Sequence, residues 1–175
     1  SLDKDTVNYD QMRYEGFGPN GTSIIVEALT DNRNRTASNV RSAFQKFGGS
    51  MGETGSVSHA FNHYGFVRYN KDVTSEEDFF NFSIEGGAED CFIEEDTYEA
   101  LSTPETLSNL YNYLDKKFGE PVSSGFQWKP VTYVAIEGDK LKSLINLLNE
   151  LDNDEDVQQV FSNFEASDEE LAKFA

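Results

Sequence analysis

Apolar positions recur along this chain with two spacings, and the switches between them mark out its elements. Residues 22–29 form an apolar, β-branched run of strand length. Ala37, Val40, Ala43, Phe44 and Phe47 then repeat at helical spacing, and Gly48-Gly49 stop the helix. Residues 31–36 are the turn between them, where Asn34 or Thr36 can cap the helix by accepting from free backbone N–H groups. Ahead of the strand, Gly16, Gly18, Pro19 and Gly21 predict an irregular lead-in. Residues 56–62 alternate apolar with polar, the signature of a strand, and residues 65–70 predict a second one.

The same alternation continues. Ser75 starts a helix with early acids, Phe79, Phe80, Phe82 and Ile84 supply its apolar residues, and Gly86-Gly87 end it. Residues 91–94 and 98–102 read as strands around an acidic turn. Thr103-Pro104 open a helix striped by Leu107, Leu110, Tyr111, Leu114 and Phe118, and Gly119 closes it. Pro130 separates strands at 125–129 and 131–136. Asp139 caps a helix with Leu141, Leu144, Ile145, Leu148 and Leu151 on one face. Residues 157–164 are a closing strand, and 167–174 a short helix or a frayed end.

The order is β-α-β, β-α-β-β-α-β, β-α-β. The middle block, residues 66–130, has the order of a ferredoxin-like split βαβ. An α+β fold follows, with two small sandwich-type domains. Residues 14–65 and 131–166 form a discontinuous domain, 66–130 are inserted in it, 1–13 are a linker remnant and 167–175 a tail. A simpler split near residue 90 is the alternative.

Composition sharpens this. At 175 residues the chain can bury a core, and no run approaches the roughly 20 apolar residues that span a bilayer. One cysteine, Cys91, excludes an internal disulfide and fits a reducing compartment, cytoplasmic or a mitochondrial matrix. Net charge is −18, distributed unevenly: residues 1–65 carry −1 and residues 66–175 carry −17. The acidic part repels a phosphate backbone, and only the early segment can welcome one.

That segment holds the candidate site: Asn32, Arg33, Asn34, Arg35, Arg41 and Lys46. Arginines at a helix start oppose the macrodipole, yet beside free N–H donors they suit an anion. Arg33 and Arg35 would bind phosphates, oriented by Asn32 and Asn34. The alternative is a solvated turn whose arginines pair with Asp31 or Glu27. Gly16 to Gly21 fits G-x-G-x-x-G, but these glycines precede a strand, whereas dinucleotide binding needs one before and a helix after. His59 and His63 on a strand are about 13 Å apart, too far to share a metal. The acids at 89–96 and 152–156 lack calcium-loop spacing and read as solvated. Trp128 beside Lys129 can stack on a base, or sit half-buried in a strand. No cofactor, metal site or catalytic set is expected.

The segments YEGFGPNG, DNRNRT, FQKFGG and GETGSVSHAF, with EGGAEDC and VQQVFSNFEASDEE further on, resemble the YebC/PmpR family, which includes TACO1-like mitochondrial translational activators. The resemblance runs from about residue 10 to near the end. It implies the same inserted-domain organisation and the absence of a basic, helical N-terminal domain. It also implies a gene-expression factor, either a DNA-binding transcriptional regulator or a ribosome-associated translation factor. The implied partners are DNA or ribosomal RNA, while the residues themselves, with no apolar span and no catalytic set, predict no membrane contact and no enzyme activity. A protein-interaction module, its acidic domain meeting a basic protein, and a small-anion sensor at the arginine corner are the alternatives.

Overall fold

The computed structural model describes residues 7–174, in two compact units. One gathers the chain up to Asn62 with the chain from Pro130 on, and the other is His63–Lys129. Residues 1–6 of the expected linker and the last residue of the expected tail lie outside the described residues.

The first unit is built on a four-stranded sheet. Its strands are β1 (Asp10–Phe17), β2 (Ser23–Thr30), β3 (Ser50–Met51) and, late in the chain, β9 (Val157–Ser162), in the order β3-β1-β2-β9. All the pairings are antiparallel, with Tyr14 opposite Val26 and Val26 opposite Val160. Helices α1 (Arg33–Lys46) and α4 (Gly138–Asp152) pack on it, burying Val40, Phe44, Leu141, Leu144 and Leu151 against Ile24 and Val26. Removing a ring such as Phe44 would cost about 3–5 kcal/mol.

Residues 10–17 add a strand to those expected. Asp10–Arg13, expected as linker, belong to β1, and so do the first lead-in residues. The lead-in is irregular only over residues 18–21, where a 3-10 turn puts Asn20 and Gly21 at positive φ, whereas Gly16 and Gly49 serve close packing. A Cβ on Gly16 would lie 2.7 Å from both the Phe44 ring and the Ser50 carbonyl oxygen, and one on Gly49 would lie 2.3 Å from the Phe17 carbonyl oxygen.

Glu15, on β1, explains why two separated sequence motifs occur together. Its carboxylate is 1 % exposed and accepts N–H groups from Gly55 (2.9 Å), Val57 (3.1 Å) and Ser58 (2.7 Å), with Arg13 at 3.3 Å. Burial alone would raise its pKa. The three amides and Arg13 outweigh burial and hold it below the ordinary value. The loop at 52–58 is thus moored to β1. Residues 58–60 form a 3-10 turn rather than the expected strand, so His59 sits in that turn and His63 in a different element.

The second unit has strands β4 (Phe61–Asn70), β5 (Asp90–Ile93), β6 (Thr97–Ser102) and β7 (Ser123–Pro130), with helices α2 (Glu76–Glu85) and α3 (Leu107–Phe118). The order β5-β6-β4-β7, with these connections, is the ferredoxin-like arrangement. Ser75 caps α2 as expected, accepting the Asp78 N–H at 3.1 Å. Phe79, Leu110 and Leu114 are sealed against Val67, Tyr69 and Ala100.

Elsewhere the long closing elements break up. Only Val134–Ala135 (β8) of the expected strand at 131–136 pairs, in parallel with Phe164–Glu165 (β10). Asn163 divides β9 from β10: its side chain accepts the Ser23 N–H at 2.7 Å and donates to the Thr132 carbonyl at 3.2 Å. α4 is preceded by Glu137 at its N-cap, with Asp139 inside the first turn rather than capping it. Ser167 caps the short helix α5 (Asp168–Ala172).

Candidate nucleic-acid interface

The cap of α1 decides where its cations go. Asn32, not Asn34 or Thr36, is the capping residue, and its Oδ1 accepts the Arg35 N–H at 3.0 Å. The helix therefore starts four residues earlier than its apolar stripe suggests. Arg33 and Arg35 lie in its first turn, and its 14 residues include four cations and no acid.

Those cations separate into two groups. The Arg35 guanidinium meets Asp156 through Nε (3.1 Å) and Nη2 (2.8 Å), and Asp31 through Nη2 (2.8 Å). Both carboxylates raise its pKa further. Thr36 Oγ1 is 2.7 Å from Asp156 Oδ2 and 2.7 Å from Thr30 Oγ1. Arg35 and Thr36 together hold Asp156 below the ordinary carboxylate range. Asp156 is thus tied down, whereas its acidic stretch was expected to be wet throughout. Lys46 pairs with Glu150 at 2.8 Å and sits 5.2 Å from the Phe47 ring.

Arg33 makes one contact with Asp10, at 3.0 Å, with both side chains more than half exposed. Exposed pairs of this kind are worth about 0–1 kcal/mol and exchange readily. Arg41 and Asn34 are exposed and have no side-chain partner among the described residues. Asn34, Ser38, Arg41 and Gln45 follow at helical spacing, share one face and are all exposed. Ser38 and Gln45 are uncharged, so residue type alone does not single them out.

The neighbouring flank has the opposite character. A cleft of about 910 Å³ is lined by Asp31, Glu150, Asp154, Glu155 and Asp156, with Arg35 as its one cation among the described residues. A small anion entering it would meet carboxylates first. The Tyr14 hydroxyl is buried without a hydrogen-bond partner among the described residues, and burial pushes its pKa up.

The rest of the candidate chemistry is dispersed. His63 stacks on Trp128, ring centres 4.1 Å apart, in the second unit. Cys91 is free and half-buried, and burial raises its thiol pKa. No group of three metal-binding side chains occurs among the described residues, and no helix there is long and apolar enough to cross a membrane.

An α+β chain with a ferredoxin-like unit and a basic, acid-free helix in an otherwise acidic molecule defines the class. Residues 9–164 match the family model described as the TACO1/YebC second and third domain, and the chain belongs to that family. A crystal structure of a conserved hypothetical protein, Aq1575 from Aquifex aeolicus, is similar, with 36% identity and a TM-score of 0.82. The match covers 94% of this chain and 68% of that one.

Proposed function

We propose that the protein is a non-enzymatic regulator of gene expression that contacts nucleic acid through the outer face of α1. Arg41 and Arg33 neutralise phosphates there, and Asn34, Ser38 and Gln45 donate to phosphate or sugar oxygens. Arg35 holds the helix start in place through Asp156, and Lys46 stays with Glu150. The observation that carries this reading is an acid-free helix with an exposed arginine that has no side-chain partner among the described residues, in a chain of net charge −18. Family membership supports the same direction. DNA and ribosomal RNA share the phosphate chemistry, so both serve as probes.

Titrating labelled duplex DNA and a ribosomal RNA fragment with the full chain tests it. Arg33→Ala/Arg41→Ala should weaken binding to the preferred probe and reduce the salt slope by about 1 for each phosphate no longer neutralised. Unchanged affinity and slope would remove α1 as the contact surface.

The carboxylate-lined cleft argues against the small-anion reading. A basic protein partner is favoured elsewhere in the molecule.

A further inference from the structure

Within the second unit, the helix flank that α2 turns away from α3 is apolar and uncovered. Phe79 and Ser83 are buried toward the sheet, and Phe82 leans on Phe118 of α3, ring centres 5.7 Å apart. Phe80 and Ile84 follow at i and i+4 on the opposite flank, 49 % and 44 % exposed. α2 packs on β5, which is the end strand of its sheet and pairs only with β6. Ile93, at the end of β5, is 40 % exposed. A strand edge with no partner strand among the described residues, its Cys91 N–H answered by the Asp90 side chain at 2.8 Å, thus lies beside two exposed apolar side chains.

Charge selects the occupant. Between residues 72 and 115 there are thirteen Asp and Glu and no Lys or Arg. Glu76, Glu77, Glu94, Glu95 and Asp96, from the same helix and strand turn, are all exposed. Of the cations around it, Arg68 and Lys129 pair with Glu99 and Lys117 lies over the Phe82 and Tyr113 rings, while Lys71, whose backbone N–H donates to the Asp96 carbonyl at 3.1 Å, and Lys116 stand at the two ends of the stretch and leave it strongly acidic. A nucleic acid or a second copy of this chain would bring like charge to like charge.

We infer that the α2 flank and the free edge of β5 form a docking surface for a basic, apolar-containing polypeptide segment. The segment adds along β5 through main-chain hydrogen bonds. Its apolar side chains cover Phe80, Ile84 and Ile93, and its cations meet Glu94, Glu95 and Asp96. This surface is independent of the α1 reading: it lies in the other unit and attracts the opposite sign.

The test uses the full chain at physiological salt and two synthetic 12-residue peptides. One alternates arginine with leucine and the other alternates arginine with glycine. The leucine peptide should bind at least about tenfold more tightly, shifting backbone amide resonances at residues 76–84 and 90–95. Phe80→Ser/Ile84→Ser should weaken it about tenfold or more without lowering the melting temperature, since both side chains are exposed. Glu94→Gln/Glu95→Gln should weaken both peptides and flatten the salt dependence. Equal binding of the two peptides, or indifference to the Phe80/Ile84 pair, would overturn the inference. So would an oligonucleotide shifting the same amides, or a dimer that Ile93→Lys dissociates.

Discussion

Helix α1 and the stretch from 72 to 115 are opposites within one chain. The helix holds four cations and no acid; the stretch holds thirteen acids and no cation. α1 would be stabilised by acids in its first turn and has none, whereas α2 has three there, as the helix dipole favours. Charge kept against local preference on α1 marks a surface shaped by something other than stability. Inside α1 the contrast repeats on a smaller scale. Arg35 lines the carboxylate-lined cleft and is paired there, Lys46 pairs with Glu150 from that lining, and Arg41 stands clear of it.

The strongest break of this contrast is the buried carboxylate under the first unit. Glu15→Ala leaves the Gly55, Val57 and Ser58 amides unanswered and should destabilise the protein by about 3–5 kcal/mol, read by denaturant unfolding. Charge reversal on the open face comes next. Arg33→Glu/Arg41→Glu should lower nucleic-acid affinity by about a hundredfold at low salt, with unfolding nearly unchanged, because both residues are exposed. Arg35→Ala should do the reverse. The melting temperature drops as Asp156 loses its partner, by less than for Glu15→Ala, and affinity falls less than in the reversal.

Acid should act through the tied carboxylates. Glu15 and Asp156 both have folded-state pKa values below their ordinary ones near 4. Their stabilising effect is complete above the unfolded pKa and is lost as pH falls through the folded one. The melting temperature should therefore hold from pH 7 to about 5 and decline below about 4. Asp156→Asn should shallow that decline. The smallest effect belongs to Asp31→Asn, within about 0.5 kcal/mol, because the pair it removes is exposed and Asp156 remains on Arg35.

Local signals carried most of the fold. Ser75 before three acids announced α2, Pro104 and Gly119 bracketed the next helix, and the split βαβ order followed from element spacing. β1 was hidden because its Gly16 and the glycines after it resemble a loop. Gly16 serves close packing against Phe44 and Ser50, which local pattern does not express. The candidate site was legible as a set of residue types and not as a geometry. Asp156 lies 121 residues beyond Arg35, and nothing near either residue announces their pairing. Residue type suggests Asn32 as a phosphate-orienting group, but its side chain is spent on the Arg35 amide.

Amide resonance mapping of the full chain against the preferred nucleic-acid probe locates the binding face. Shifts should concentrate on the backbone of α1 around Asn34, Ser38, Arg41 and Gln45, and vanish in Arg33→Ala/Arg41→Ala while the spectrum stays folded. Shifts that avoid α1, or that persist in the double variant, would contradict a nucleic-acid face on this helix.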